Sequence, residues 1–455
     1  MIDRRLSTVL LALSVLGYGA VGALYAILTP PWQAPDEPAH YNYVAQVAEE
    51  GCCPVIASGD WDAAYLEQLK AEQFPDDADL SAIEYEDHQP PLFYLAVLPG
   101  YLAEDGALLA LRLASLAIGV GVVIAAYLAG RQVFPRQRTL ALAAAAFVAF
   151  LPQHVAMMAS VNNDSLAETL GGFVLVLALA YLGNPISAEG KVRARPHPAI
   201  LGALVGLAYL TKLTVYLPAT AAVALAIIQR WRGEKQSIRW LIGQTAWAAG
   251  PALALGGVWW ARNVARYGWP DFLGQAAHEA VVVGQPRTAA LIGEQGFGPY
   301  LGGFLTTTYH SFWGQFGWMG VPMPPRVYLI TGVFGIMILI GLALAAGQSG
   351  GWRSVSQSAR AGAWVLVGVA LAAAINYVGY NLTFVQFQGR YLYPALIPLA
   401  LAAALGGWGW AALVHSRLKG RLGTIALAWL PLILVGWMPP LALYALFRFI
   451  VPNLG

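Results

Sequence analysis

Thr29-Pro-Pro-Trp-Gln-Ala-Pro-Asp36-Glu37-Pro-Ala-His40-Tyr-Asn-Tyr43, followed by residues 44–51, is the stretch that decides how the chain is read. It comes directly after residues 7–28, an apolar run of 22 residues that is long enough to cross a bilayer and too long for the core of a signal peptide. Two adjacent carboxylates and an imidazole are therefore delivered to the point where the chain leaves the membrane. Pro35 and Pro38 prevent a helix from running through the pair, and the pattern predicts a helix that starts at Glu37, is capped by Asp36 and ends near Gly51. In a soluble protein an Asp-Glu-Pro string reads as a cap and nothing more. Here the chain gathers further polar groups on the same side, which favours a functional reading.

Composition sets the surroundings of that stretch. Of 455 residues 58% are hydrophobic and only 11% charged, against about 25% charged in soluble domains. Apolar runs recur throughout, with a mean hydropathy of +0.58 and no polar block of domain size, so the expectation is a single all-α polytopic membrane domain over 1–455. A net charge of +2 without a basic stripe offers nothing to nucleic acid. Cys52 and Cys53 give neither a disulfide framework nor zinc-site spacing, and free thiols are expected in preference to a vicinal bridge.

Further spans are expected at 106–130, 140–160, 165–182, 199–212, 214–229, 240–261, 327–347, 362–380, 392–412 and 423–447, which makes about eleven with the first. Alternate loops hold Arg131/Arg136/Arg138, Lys191/Arg193/Arg195, Arg230/Arg232/Lys235/Arg239, Arg353/Arg360 and Arg417/Lys419/Arg421. With Arg4 and Arg5 this places 17 of the 26 Lys and Arg residues on one side, and the positive-inside rule makes that side the cytoplasm. Residues 36–105 carry 16 acids and one base, Lys70, as an outer loop should. The protein is thus expected in the cell membrane, its amino terminus inside, its carboxyl terminus outside, and long outer loops at 29–105 and 262–326. Within the first loop residues 90–103 are apolar over only 14 positions, which predicts a shallow or interfacial helix. In the second, Phe312-Trp313-Gly-Gln-Phe316-Gly-Trp318 suits an interfacial aromatic belt better than a sugar-stacking surface.

Sorted by depth, the ionisable residues leave the helix centres free and collect at the outer ends: Asp164 and Glu168, Lys212, Arg262 and Arg266, Arg390 and Arg112. A transporter would place such groups near the midplane on broken helices; this pattern points to a site at the outer membrane surface. Arg112, about 9 Å into its span at 1.5 Å per residue, is expensive unless an anion or internal acceptor compensates it, the ordinary alternative being a snorkelling anchor. Four cations facing an acidic loop, Arg112, Lys212, Arg262 and Arg390, suggest a bound anion. The i, i+3 spacing of Glu37 and His40, with Asp36 four residues from His40, leaves room for a divalent metal, although a metal-free site is the preferred reading.

These residues resemble the membrane glycosyltransferases of the GT-C superfamily, which include the protein O-mannosyltransferases and the aminoarabinose transferases of lipid A. The resemblance is carried by Asp36-Glu37 after the first helix, His88-Gln-Pro-Pro-Leu-Phe-Tyr94, Arg112-Leu-Ala-Ser115, Asn162-Asn163-Asp164, Thr211-Lys212, and Arg262-Asn263 followed by Tyr267-Gly268. It is nearer still to an uncharacterised bacterial branch, through Pro35-Asp-Glu-Pro-Ala-His40, Phe312-Trp-Gly-Gln-Phe-Gly317 and Gln388-Gly-Arg-Tyr391. The resemblance implies transfer of a sugar from a polyprenyl-phosphate carrier to an acceptor at the extracytoplasmic face, with the first-loop acid as base and outer basic residues on the donor phosphate. His88 stands where the aminoarabinose transferases carry a Lys, as in some O-mannosyltransferases, so the sugar itself is not carried over.

On that basis Asp36 is the expected base, with Glu37 or His40 orienting acceptor or metal. Arg112, Arg390, Lys212 and Arg262 are expected at the donor phosphate, and His40, His88, Asn163, Asp164 and Tyr391 at the sugar or acceptor. A polyprenyl phosphate leaves as a stable anion, so an inverting transfer requires a base for the acceptor hydroxyl and cations for the phosphate, but no acid. A lipid or glycan transporter and a non-catalytic glycan-binding subunit of a surface-polymer assembly are the alternatives.

Overall fold

The computed structural model describes residues 3–183, 194–348, 356–418 and 420–454. Lys191, Arg193, Arg353 and Lys419, four of the cations counted for the inner side, lie outside the described residues. The described chain is helical apart from a hairpin of Gln315–Phe316 with Val321–Pro322 and one isolated bridge between Arg287 and Phe384. Among the described residues eight helices are long and apolar enough to cross a membrane. A ninth crossing comes from Arg138–Phe150 and Pro152–Met158 taken together, bent by 64°. Two of the eleven expected crossings fall outside that set: Pro198–Tyr209 has only 12 residues, and Ile238–Tyr267, with 30, is less apolar.

The first span shows how local chemistry sets the frame. Asp3 starts Arg4–Leu28 by accepting the Leu6 N–H at 2.7 Å, and the Thr29 N–H closes it on the Tyr25 carbonyl at 3.0 Å before Pro30 and Pro31 stop the ladder. The helix predicted from Glu37 runs to Glu49. Asp36, however, is not its side-chain cap. Its backbone is left-handed, φ 69°, which turns the carboxylate away, and the second helical position is Pro38, which has no N–H to offer.

The bundle core centres on Arg138–Phe150, where every residue from Thr139 to Phe150 is buried, as befits a helix apolar all round. Leu108–Val133 packs against it, against Arg4–Leu28 and along Asp164–Leu182. The long loop over residues 29–105 forms a small core of its own from Ile56, Leu66, Leu69, Phe74, Ile83 and Tyr85, completed by Val282 of the second long loop. Leu92–Ala103 is the short helix expected there and lies against Glu37–Glu49 and Leu108–Val133.

Two expectations need correction. Trp313 and Phe316 are buried in the main core, and Trp318 donates from Nε1 to the Trp32 carbonyl at 2.9 Å, so these rings join the two outer loops to the bundle and are not an aromatic belt. The hairpin causes this by folding the segment back over the helix ends. Cys52 and Cys53 are joined as a disulfide, and the described chain has no free cysteine. A tight turn lets adjacent sulfurs meet there, and Arg262 holds it by donating from Nη2 to the carbonyls of Cys53 and Pro54.

Candidate functional site at the outer helix ends

Glu37 and Arg112 form a closed unit. The guanidinium donates from Nε to Oε1 at 2.8 Å and from Nη2 to Oε2 at 2.6 Å, a two-point contact with a carboxylate that is 0% exposed. Its other N–H groups go to the carbonyls of Ala26 at 3.0 Å, Thr29 at 2.6 Å and Pro30 at 3.0 Å. Ala26 is the carbonyl that the N–H of residue 30 would have satisfied in a continuing helix, and residue 30 is a proline; Arg112 supplies the missing donor. Glu37 also accepts the N–H groups of Trp32 and Val161, both at 3.1 Å. All five donors of Arg112 and both oxygens of Glu37 are engaged by the protein itself.

Asp36, freed from capping, meets a different set. Oδ2 accepts from Arg390 Nη2 at 2.5 Å and Oδ1 from the Tyr85 hydroxyl at 3.0 Å. Burial raises its pKa, but Arg390, which also donates a hydrogen bond, and Lys212 outweigh that and hold the carboxyl below the usual range, so it is ionised. Arg390 reaches it because Gly389 lies flush on Phe297–Trp313: its N–H donates to Ser311 Oγ at 2.7 Å, and a Cβ there would strike the backbone of Thr308 and Phe312. Gln388 accepts from Arg390 Nε at 2.7 Å, and the Tyr391 ring lies 5.4 Å from the guanidinium.

Lys212, at the turn between Pro198–Tyr209 and the short 3-10 turn Leu213–Val215, donates to Asp164 at 2.7 Å and more weakly to Asn162 Oδ1 at 3.5 Å. His40 is 1% exposed, with Nδ1 2.9 Å from the Tyr94 hydroxyl; burial, aided by Lys212, lowers its pKa to about 3, so the ring is neutral. Asn163 donates weakly to Gln89 and to the Thr211 carbonyl, both at 3.4 Å. Four buried atoms of this group have no partner: His40 Nε2, Glu86 Oε2, Asn162 Nδ2 and Asn163 Oδ1. Unsatisfied polar atoms so close together are what a polar ligand would complete.

The structure thus brings together Asp36, His40, Lys212, Arg390, Asn163, Asp164 and Tyr391. Glu37, Arg112 and Arg262 find their partners elsewhere in the protein, while His88 lies within electrostatic reach of His40 and Lys212. Arg262 donates to Asn263 Oδ1 at 3.0 Å and lies 4.5 Å over the Trp259 ring, besides holding the disulfide turn. His88 packs against His278 with the rings tilted by 44° and their centres 4.2 Å apart, and contacts the Tyr85 carbonyl at 3.2 Å, with burial and then His278 keeping its ring neutral. The trio Asp36, Glu37 and His40 does not present ligands to one metal, since Glu37 faces Arg112 while Asp36 faces Arg390.

Sequence reasoning missed Tyr85, Glu86, His154 and His278. Tyr85 and Glu86 reach Asp36 across some fifty positions, and no spacing in an acid-rich loop marks one acid above the others. Burial and then Asp36 raise Glu86 to about 8, so next to an ionised Asp36 it is protonated at neutral pH. His278, on the short second-loop helix Gln275–Val281, is lowered to about 4 by burial, with Asp36 opposing. His154 pairs with Glu168 at 3.2 Å one turn further in. Glu168, Val215 and Tyr393, each about a turn inward from Asp164, Lys212 and Arg390, line an otherwise apolar crevice with Val122, Leu175 and Val369.

Two outcomes are expected from this geometry. Arg112→Lys offers three donors to five acceptors and should cost roughly 1–3 kcal/mol for each buried oxygen left short, while Arg112→Ala should cost about 3–5 kcal/mol by stranding Glu37. Thermal melting in detergent checks both, and an interfacial anchor would instead tolerate Lys freely. For Glu86, the folded chain keeps a proton between the ordinary value of 4.5 and about 8 that the unfolded chain has released, so stability falls as pH rises through that window. Glu86→Gln should flatten part of that fall, measured as Tm against pH in chelator.

Residues 90–399 match a family model described as "Predicted membrane protein (DUF2142)". No curated protein matches the sequence. Among solved structures the chain is similar to the apo oligosaccharyltransferase of Archaeoglobus fulgidus, with 13% identity and a TM-score of 0.50 over 96% of this chain and 56% of that one. It is also similar to ArnT from Cupriavidus metallidurans bound to undecaprenyl phosphate, with 16% identity and a TM-score of 0.47 over 100% of this chain and 74% of that one. The chain spans little more than half the length of the oligosaccharyltransferase. The shared architecture is the GT-C fold, and with the family model covering residues 90–399 the chain belongs to the DUF2142 family of predicted membrane proteins.

Proposed function

We propose that this protein is a membrane glycosyltransferase that moves a sugar from a polyprenyl-phosphate donor to an acceptor hydroxyl at the extracytoplasmic face, with inversion. The observation that carries the reading is Asp36: an ionised carboxylate held off its own helix and paired with Arg390, near Lys212, with an apolar crevice about a turn along the chain from those two cations. In this reading the acceptor oxygen attacks the anomeric carbon while its proton passes to Asp36. The bond to phosphate breaks on the opposite face, and Arg390 and Lys212 take up the charge of the leaving phosphate. The prenyl chain occupies the crevice. Asn162, Asn163, His40 and protonated Glu86 bring unsatisfied polar atoms to the sugar. Arg112 and Glu37 act at one remove, as positioning residues, because their hydrogen-bonding groups are already used.

The base is weak while Arg390 grips it. A donor phosphate that draws the guanidinium away raises the basicity of Asp36, so the proton acceptor strengthens when the donor is in place. A metal is not needed for these steps.

Asp36→Asn should cut transfer by about 10²–10⁴ while undecaprenyl phosphate still raises the melting temperature, whereas Lys212→Ala should lose that protection. Turnover by Asp36→Asn near the native rate would overturn the assignment of the base. The orientation is tested separately: after mild reduction of the Cys52–Cys53 bridge, a membrane-impermeant maleimide should label intact cells. Labelling only after the inner face is opened would reverse the topology and with it the mechanism.

A further inference from the structure

The first outer loop holds a second group of carboxylates, away from Asp36. Asp60, Glu84 and Asp87 each place one oxygen within 4.8 Å of the other two. The backbone fixes them: the Glu84 N–H donates to the Asp60 carbonyl at 3.1 Å, and the Asp87 N–H to the Glu84 carbonyl at 3.0 Å. Acids crowd together readily in a loop this acidic, so the cluster alone means little.

Asp87 changes that. It is 1% exposed; Oδ2 accepts from Gln46 Nε2 at 2.9 Å, while Oδ1, sealed from solvent, has no donor at all. Among the described residues none of the three carboxylates belongs to an ion pair. The groups whose charge bears most on Asp87 are acids, Glu84 and then Asp60. A buried carboxylate oxygen in such company requires either a proton or a cation.

We propose that Asp60, Glu84 and Asp87 form a binding site for a hard divalent cation of the Ca²⁺ class. The ligands are all oxygens, with neither imidazole nor thiolate among them, which suits a hard ion and not zinc. Asp60 and Glu84 are only partly buried, so the ion can enter and keep water ligands. The site lies at the base of the segment that presents Tyr85 and Glu86 to Asp36. It also lies beside Trp61, whose ring packs edge-on against Tyr85 at 5.0 Å and whose Nε1 donates to the Val283 carbonyl of the second loop at 2.8 Å. The cation therefore orders the wall of the proposed transferase site without touching its reacting groups. It shares no ligand with Asp36, and it stands even where the transferase reading falls.

The test uses the full chain in detergent, stripped with EDTA and titrated with Ca²⁺ while melting is followed, then with Tb³⁺ while emission sensitised through tryptophan is read. The native protein should show a saturable rise in Tm and a saturable Tb³⁺ signal that Ca²⁺ displaces. Asp87→Asn should melt no lower than the native protein in EDTA, because the amide takes the place of the protonated carboxyl that the metal-free site holds. It should also need at least about tenfold more Ca²⁺ for its response, as loss of a ligand costs no less than loss of an outer-shell partner. Glu84→Gln, nearer to solvent, should show the same loss of response with an unaltered fold, and Trp61→Phe should dim the Tb³⁺ signal without shifting its midpoint. A native protein that does not respond to Ca²⁺, or variants that respond as it does, would overturn the proposal in favour of a simple proton on Asp87.

Discussion

The contact between Arg112 and Glu37 is the constraint on which the half of the molecule that carries the long loops depends. Neither partner tolerates burial alone, since a lone charge at that depth is strongly penalised. Together they satisfy each other at two points, and Arg112 also gathers the carbonyls of Ala26, Thr29 and Pro30, which Pro30 and Pro31 help to leave without helical donors. One side chain of Leu108–Val133 thus ties down both the end of the first span and the start of the next helix. The exit of the chain from the membrane is fixed as a consequence, and the residue before Glu37 has its direction set.

That residue is Asp36, and its freedom follows from the same geometry. Pro38 removes a capping donor and a positive φ swings the carboxylate outward, so Asp36 faces Tyr85 and Arg390 and not its own helix. Arg390 is brought there by the flush seating of Gly389, and Lys212 by a turn too short to carry it elsewhere. Residues at the ends of four separate helical elements converge at one level. Each is held by backbone chemistry at a break between helices, which is where a membrane protein has polar groups to place.

Much of this was legible before any coordinates. The run of apolar segments, the break at Pro30-Pro31, the helix from Glu37, the shallow helix near 90–103 and the gathering of ionisable residues at the outer ends all follow from composition and spacing. What spacing could not supply was pairing. Arg112 carried a visible energetic debt, but four cations over an acidic loop are equally consistent with one shared anion and with separate internal partners. Only the fold reveals that Arg112 meets Glu37, that Arg262 grips a disulfide turn, and that Arg390 and Lys212 are the two at Asp36. The aromatic string at 312–318 was misleading for a related reason: rings suited to an interface also fill a core, and a two-residue hairpin decides between them. Glu86 and Asp87 were hidden among their neighbours because burial, which sets their chemistry, leaves no local mark in sequence.

The arrangement around Asp36 also bears on how a site of this kind avoids premature chemistry. A carboxylate salt-bridged to arginine is a poor proton acceptor, and a protonated Glu86 beside it adds no competing base. The pair is an attractive place for a phosphate, because the donor's phosphodiester offers the guanidinium two oxygens and gains a second negative charge as its bond to the sugar breaks. Once the guanidinium turns toward phosphate, burial is no longer opposed by the same counter-charge and the affinity of Asp36 for a proton rises. On the proposed reading the donor therefore does two things with one contact. It neutralises itself for departure and it creates the base that activates the acceptor, which orders the two substrates by electrostatics alone and leaves the buried Glu37–Arg112 pair undisturbed beneath.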